Sequence, residues 1–161
     1  MHIGIGSDHG GFEAKLAIVQ HLKAKGHEVM DVGCHGTGLV HYPHYARKVT
    51  TALAGDQIHR GILVCTTGVG MSIVANKVRG IRAGLCATAH AARLARAHHD
   101  ANVLCLGGKT TDSHELAGIV DAFLMTAYEG GRHDVAQGLV RDWEREVTLG
   151  IPQDRDIPHA Q

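Results

Sequence analysis

The sequence predicts an α/β protein, a three-layer sandwich in which helices cover both faces of a five-stranded parallel sheet. Short apolar segments and helical segments alternate five times along the chain, and this order generates parallel strands joined by crossover helices. The run at 61–65, Gly-Ile-Leu-Val-Cys, is continuously apolar, which is typical of a strand buried on both faces. The 161 residues, 44% of them hydrophobic, suffice for one core of ordinary size.

The first elements follow from hydrophobic spacing and from the residues that start and stop them. Leu16, Val19 and Leu22 share one face of the first helix, which Gly26 ends, and Pro43 suits the first turn of the second helix. In chain order we predict strands at residues 3–6, 27–32, 61–65, 81–86 and 102–106, and helices at 12–25, 43–54, 71–78, 87–99, 115–128 and 133–149.

The later elements are bounded by glycine. Residues 66–70, Thr-Thr-Gly-Val-Gly, end the third strand, and Gly107 and Gly108 end the fifth.

We expect one domain over residues 1–149, followed by a flexible C-terminal tail over 150–161 that holds two of the three prolines. The fifth helix carries an apolar stripe expected to be buried, formed by Leu116, Ile119, Val120, Phe123 and Leu124.

Composition excludes several classes of function. The chain has 16 basic and 16 acidic residues, and only 4% of its residues are aromatic, so no nucleic-acid or membrane surface is indicated. The four cysteines form no CxxC pair, which argues against a zinc or redox motif. Because neither a signal-peptide pattern nor a stretch of about 18 apolar residues occurs, we expect a cytoplasmic protein with reduced thiols.

Polar residues follow three of the predicted strands. Asp8 and His9 follow the first, Cys65 and two threonines end the third, and Lys109 follows the glycines of the fifth. The carboxyl ends of parallel strands share one edge of a sheet, and open α/β sheets bind ligands there. These residues are therefore expected to converge on one cleft.

The segment 66–72, Thr-Thr-Gly-Val-Gly-Met-Ser, indicates an anion site. A glycine-rich turn that opens a helix presents unpaired backbone N–H groups, and the helix dipole adds positive charge to them. The segment is neither GxxxxGK[ST] nor GxGxxG, so a nucleotide site is poorly supported. The alternative is a tight turn without a ligand.

Two of the strand-end residues are of types that take part in catalysis. A helix N-terminus favours the thiolate form of a neighbouring cysteine, so Cys65 is a candidate base or nucleophile, and the alternative is a buried core thiol. We expect Cys34, Cys86 and Cys105 to be core or loop thiols. Asp8 beside His9 suits contact with a substrate hydroxyl. Its alternative is an N-cap aspartate followed by an exposed histidine.

Further polar clusters are less specific. His98 and His99 lie at a helix end, where the dipole favours histidine without any function. The run His-Tyr-Pro-His at 41–44 lacks a carboxylate, so no metal site is expected. Arg132 and His133 begin a helix, a position that is unfavourable for cations unless an anion binds there.

Six segments in order carry a resemblance to a known family: G-S-D-H-G-G-F (6–12), H-Y-P-H-Y-A (41–46), G-I-L-V-C-T-T-G-V-G-M-S-I-V-A-N-K (61–77), G-I-R-A (80–83), A-H-H-D-A-N-V-L (97–104) and Y-E-G-G-R-H (128–133). From about residue 3 to 146 the chain resembles the sugar-phosphate isomerases that include type B ribose-5-phosphate isomerase and the galactose-6-phosphate isomerase subunits. The resemblance implies a Rossmann-like fold, no cofactor, no metal, and a homodimer, sometimes paired into a tetramer, with active sites between subunits.

The resemblance also implies a reaction and a role for each matching residue. Members interconvert aldose and ketose phosphates through a cis-enediolate, which places this chain in carbohydrate metabolism, in the pentose phosphate pathway. Cys65 matches the catalytic base and Asp8 the residue that contacts sugar hydroxyls. His98 matches the histidine that opens the furanose ring, assisted by Thr67. The family's anion hole corresponds to the amides of Gly68, Val69, Gly70 and Met71. Its phosphate and substrate contacts correspond to His9, His99, Lys109, Arg132 and His133. The resemblance implies that His98 and Arg132 reach the site from the partner chain.

Three departures from the family pattern leave the substrate open. Ala136 stands where the family usually has a second arginine, His99 where it usually has asparagine, and the loop before Tyr42 lacks an arginine that is often present. Ribose 5-phosphate and ribulose 5-phosphate are the expected pair. The alternatives are erythrulose 4-phosphate, allose 6-phosphate, galactose 6-phosphate or an unphosphorylated pentose, and, in a different class, a non-catalytic sugar-phosphate binding module.

Overall fold

The computed structural model describes residues 1–149 and confirms the predicted α/β fold. Five strands in this part of the chain pair in parallel in the order β2-β1-β3-β5-β4: β1 (His2–Ser7), β2 (Glu28–Asp31), β3 (Arg60–Cys65), β4 (Ala83–Leu85) and β5 (Val103–Gly107). The helices described are α1 (Phe12–Ala24), α2 (Tyr42–Ala54), α3 (Val69–Ala75), α4 (Ala89–His99), α5 (Leu116–Met125) and α6 (Arg132–Thr148).

The sheet has an apolar layer on each face. On one face α1, α4 and α5 pack against strand residues such as Ile62 and Val64. On the other face α2 and α3 pack against Leu63 and Cys65, the alternate residues of the same strand. All four of these residues are at most 5% exposed, so the run at 61–65 is buried on both faces, as its continuous apolar character predicts.

Some element boundaries differ from the predicted ones. Helix α3 starts two residues earlier than predicted, since Gly68 adopts a left-handed conformation (φ 78°) just before it. The helix ends at Ala75, and the side chain of the next residue, Asn76, makes two hydrogen bonds with the backbone of Ala83, at 2.9 and 3.0 Å. Helix α5 ends three residues early, where Thr126 turns to extended backbone.

The chain divides into two compact units. The first, Met1–Glu129, contains the whole sheet and helices α1 to α5. The second begins at Gly130 and contains α6. The predicted tail at 150–161 lies outside the described residues. None of the helices in residues 1–149 combines the length and the apolar character needed to cross a membrane.

Candidate active site

The strand connections diverge between β1 and β3, and we call this place at the carboxyl edge of the sheet the crevice. The chain leaves β1 towards α1, which packs on one face, and leaves β3 towards α3, which packs on the other. Such a point, where neighbouring strands connect to opposite faces, is the usual ligand site of an open α/β sheet. Asp8 directly follows β1 and Cys65 ends β3, so these two residues flank the crevice.

Backbone hydrogen bonds hold three strand-end loops together, which confirms the predicted convergence. Gly108 N–H donates to the Cys65 carbonyl at 2.7 Å, and Lys109 N–H donates to the Thr66 carbonyl at 3.0 Å. Asp8 N–H donates to the Val64 carbonyl at 3.3 Å. The loops approach so closely that a Cβ atom on Gly11 would lie 2.5 to 2.9 Å from the backbone of Val64 and Cys65, which explains the glycine there.

Cys65 lies at the amino end of α3. Its side chain belongs to a residue only 5% exposed, and the Gly68 N–H donates to its Sγ at 3.1 Å. The first turn of α3 closes with Ser72 N–H donating to the Gly68 carbonyl at 3.0 Å, so the amides of Gly70 and Met71 precede that helical ladder. The sulfur of Cys65 therefore lies against the backbone N–H groups that open α3.

Two of the other cysteines are held as neutral core thiols, as expected. Burial raises the pKa of Cys86 to about 11. Burial, with the neighbouring Cys65 and Cys86, raises the pKa of Cys105 far above its ordinary value. Both side chains therefore stay protonated near neutral pH. Cys34 is buried as well, 3.7 Å from the Ser7 hydroxyl.

Asp8 combines a structural contact with an available oxygen. It is 6% exposed, and its Oδ1 accepts a hydrogen bond from Gly11 N–H at 3.0 Å, capping a short 3-10 turn at His9–Gly11. The cap of the alternative interpretation is thus observed, but His9 is half-buried rather than exposed. Within residues 1–149 the second oxygen, Oδ2, makes no hydrogen bond, so it remains able to accept one from a hydroxyl.

A loop that sequence reasoning left without a role borders the same site. The His9 ring contacts the backbone of Val40, with Nδ1 3.1 Å from the carbonyl oxygen and 3.3 Å from the nitrogen. At the end of this loop, the ring of Tyr42 covers the glycine turn so closely that a Cβ on Gly70 would lie 2.8 Å from Cζ. Tyr42 lies in the segment 41–46 that carries part of the family resemblance, so the sequence did indicate this residue. Its contact with Gly70 could not be predicted from residue spacing.

His98 and His99 lie at the amino edge of the sheet, where the strands begin. They are the last residues of α4, which leads into the amino end of β5, whereas Cys65 is at the carboxyl end of β3. The His98 ring lies 3.9 Å from the Glu129 carboxylate, and its centroid lies 6.2 Å from that of His99. A single chain therefore does not bring these histidines to Cys65.

The remaining predicted residues divide between the two units. Thr67 and Lys109 are exposed in the strand-end loops, and the hydroxyl of Thr67 lies 3.4 Å from Val69 N–H. Arg132 and His133 begin α6 in the second unit, after Gly130 and Gly131, which have φ of 64° and 60°. Asp134 occupies the same first turn, the favourable place for a carboxylate.

Comparison with known proteins gives a consistent result. A family model described as Ribose/Galactose Isomerase matches residues 3–137. The chain is 48% identical over 131 residues to "Ribose-5-phosphate isomerase B" of Escherichia coli, which covers 81% of this chain and 88% of that protein. It is 39% identical over 129 residues to "Galactose-6-phosphate isomerase subunit LacB" of Clostridium acetobutylicum, covering 80% of this chain and 75% of that protein.

The fold is similar to that of solved relatives. The structure of ribose-5-phosphate isomerase B from Clostridium thermocellum matches with a TM-score of 0.90 and 44% identity, covering 91% of this chain and 99% of that one. Family match, sequence identity and fold agree over most of the chain. This chain belongs to the Ribose/Galactose Isomerase family and is an isomerase.

Proposed function

We propose that the enzyme interconverts ribose 5-phosphate and ribulose 5-phosphate, with Cys65 as the base that moves a proton between C1 and C2. The observation that carries this proposal is the Gly68 N–H donating to Cys65 Sγ at 3.1 Å in the crevice between β1 and β3. The Escherichia coli relative, which is 48% identical, carries the name of this activity. The galactose-6-phosphate isomerase subunit is less similar, at 39%.

The chemistry requires a base and a site for developing negative charge. Removing a proton beside a carbonyl forms an enediolate, whose oxygen needs hydrogen-bond donors in place as it becomes charged. Gly68 N–H is directed to the sulfur, and Val69 N–H lies 3.4 Å from the Thr67 hydroxyl. The amides of Gly70 and Met71 therefore supply the oxyanion contacts. The isomerisation is complete when the proton returns to the neighbouring carbon and the hydroxyl proton moves between O2 and O1, without a metal.

The other residues of the crevice bind and orient the sugar. Asp8 accepts a sugar hydroxyl through Oδ2, and Thr67 assists opening of the ring. His9 and Lys109 contribute to phosphate binding, since a cation and a ring N–H both bind phosphate oxygens through short ionic hydrogen bonds.

We further propose that the enzyme is a homodimer whose active sites are shared between subunits. The position of His98 supports this, because α4 ends at the edge of the sheet away from Cys65. A ring-opening histidine must touch the sugar, so a second chain has to supply it. His98, His99, Arg132 and His133 would come from that partner. The four cysteines, all free and buried, suit a cytoplasmic enzyme with reduced thiols.

The test is conversion of ribose 5-phosphate by purified protein treated with EDTA, with Cys65→Ala beside it. We expect rapid turnover by the natural protein and a loss of at least about 10³-fold in the variant, the scale for losing an essential acid–base group. Cys105→Ala, which changes a protonated core thiol, is the matched control. Turnover that survives Cys65→Ala would refute the assigned base, and faster turnover of galactose 6-phosphate would refute the assigned substrate.

A further inference from the structure

A second cavity lies at the amino edge of the sheet, away from Cys65. We call it the amino-edge cavity. It has a volume of about 640 Å³ and opens between the end of α2, the starts of β3 and β4, and the residues before β5. Its polar lining includes three arginines and two aspartates: Arg60, Arg79, Arg82, Asp56 and Asp100.

Two arginines in this region have structural roles. One oxygen of Asp100 pairs with Arg82 and the other pairs with Arg96, both at 2.7 Å. Arg82 also donates to the carbonyl of Asp100 at 2.9 Å, and Arg96 donates to that of Ala101 at 2.7 Å. These bonds satisfy carbonyls where α4 ends, a usual role for arginine near a helix C-terminus.

Arg60 and Arg79 have no such role. Within residues 1–149, the Arg60 guanidinium makes its only hydrogen bond with the carbonyl of the preceding His59, at 2.6 Å. Within the same range Arg79 makes no side-chain hydrogen bond or ion pair. Each guanidinium carries five N–H donors, so within residues 1–149 most donors of both arginines are not used by the protein itself.

Positive charge exceeds negative charge around the cavity. Four guanidiniums, including that of Arg96 behind Asp100, face two carboxylates, in a chain whose overall formal charge is zero. The pKa of Arg60 is lowered by burial and by the charges of Arg96 and Arg82, which together outweigh the opposite effect of Asp100. An anion placed there would relieve this repulsion.

We propose that the amino-edge cavity binds a small, non-aromatic phosphorylated compound through Arg60 and Arg79. Planar guanidinium groups match phosphate oxygens in pairs, and the volume falls within the range of small-molecule sites. Leu53, Ile58 and Ile81 supply an aliphatic surface for the rest of the ligand. Among the described residues, the lining contains no aromatic ring other than the imidazole of His59, which disfavours a stacked nucleobase.

Calorimetric titration of the 161-residue chain with inorganic pyrophosphate tests this inference. The decisive comparison is the double variant Arg60→Gln/Arg79→Gln against Arg47→Gln, which removes one exposed charge from α2 outside the cavity. We expect the affinity for pyrophosphate to fall at least about tenfold in the double variant, a loss typical of ionic hydrogen bonds, and to stay unchanged in Arg47→Gln. Titration with inorganic phosphate then shows whether one phosphate group suffices.

Two further measurements separate this cavity from the active site and from misfolding. Lys109→Gln alters only the strand-end site. This variant should keep the pyrophosphate binding that Arg60→Gln/Arg79→Gln loses. Arg79→Gln alone changes an exposed side chain that makes no hydrogen bond or ion pair with residues 1–149, so it should fold and still weaken binding. No saturable binding by the natural protein, or equal affinity in the double variant and in Arg47→Gln, would overturn the proposal whatever the catalytic assay shows.

Discussion

The Gly68 N–H donates to Cys65 Sγ at 3.1 Å, and this one bond joins the end of β3 to the start of α3. The geometry depends on the left-handed conformation of Gly68, whose φ is 78°. A Cβ at this position would lie 2.5 Å from Leu85 Cδ1 and 2.9 Å from the backbone of Leu106. Both the conformation and the space therefore require glycine.

Gly68→Ala should accordingly reduce activity and stability together. We expect turnover to fall by about 10²-fold as the donor and the turn shift, and the free energy of unfolding to fall by about 1–3 kcal/mol because the residue is strained. Steady-state kinetics and urea unfolding measure the two effects. Gly38→Ala is the control, since a Cβ there meets no atom within 4 Å; equal behaviour of the two variants would contradict this account of the turn.

Mixing two inactive variants tests the shared active site. Cys65→Ala and His98→Asn should each lack turnover, because each removes one essential group from every site. If His98 serves the partner's site, exchange of subunits gives hybrid dimers with one intact site, and activity returns to about a quarter of the natural level. The assay is turnover after the variants are unfolded and refolded together. An inactive mixture that contains hybrid dimers would show that both groups act within one chain.

Lys15, which is buried, forms an ion pair with the partly exposed Asp31. Lys15 is 0% exposed, its Nζ lies 2.6 and 2.7 Å from the two carboxylate oxygens, and Asp31 also accepts a hydrogen bond from Gly33 N–H at 2.9 Å. Lys15→Met should lower the free energy of unfolding by about 1–3 kcal/mol, because Asp31 loses its ionic hydrogen bonds but keeps the Gly33 N–H and partial contact with solvent. Urea unfolding compares it with Lys23→Met, on the exposed face of the same helix. Similar values for the two variants would mean that the pair contributes little.

Asp121 should contribute to stability only above acid pH. Partial burial raises the pKa of its carboxyl, but His21 at 2.7 Å and Lys25 at 3.4 Å lower it further, so the net shift is downward. A lowered folded-state pKa adds stability above the unfolded-state value, and the gain is lost as pH falls through the folded-state value. Because the side chain is 30% exposed, Asp121→Asn should cost about 1 kcal/mol or less.

Unfolding of the natural protein and Asp121→Asn at neutral pH and near pH 3 measures this difference. The gap between them should be present at neutral pH and shrink towards about pH 3, where carboxylates become protonated. Glu13→Gln, an exposed change in α1, controls for general effects of removing a carboxylate. A gap that grows on acidification would contradict the direction of the shift.

Local signals were sufficient for most of the fold. The buried run at 61–65 and the stops at Gly26 and Gly107 are encoded in short segments, and their strands and helices begin or end within a few residues of the predicted positions. The end of α3 could not be predicted locally, because the Asn76 side chain exchanges hydrogen bonds with Ala83 on a neighbouring strand. Contacts of this kind depend on packing that a local pattern does not contain.

The sequence by itself determined which chemical groups stand at the strand ends: a thiol before a glycine turn, a carboxylate after the first strand and a lysine after the fifth. It did so because parallel strands bring their carboxyl ends to one edge. Only the tertiary structure decided that His98 lies at the opposite edge, that the Tyr42 ring covers Gly70 and that the buried Lys15 pairs with Asp31. These relationships join residues far apart in the chain, and the packing of helices on the sheet sets their distances.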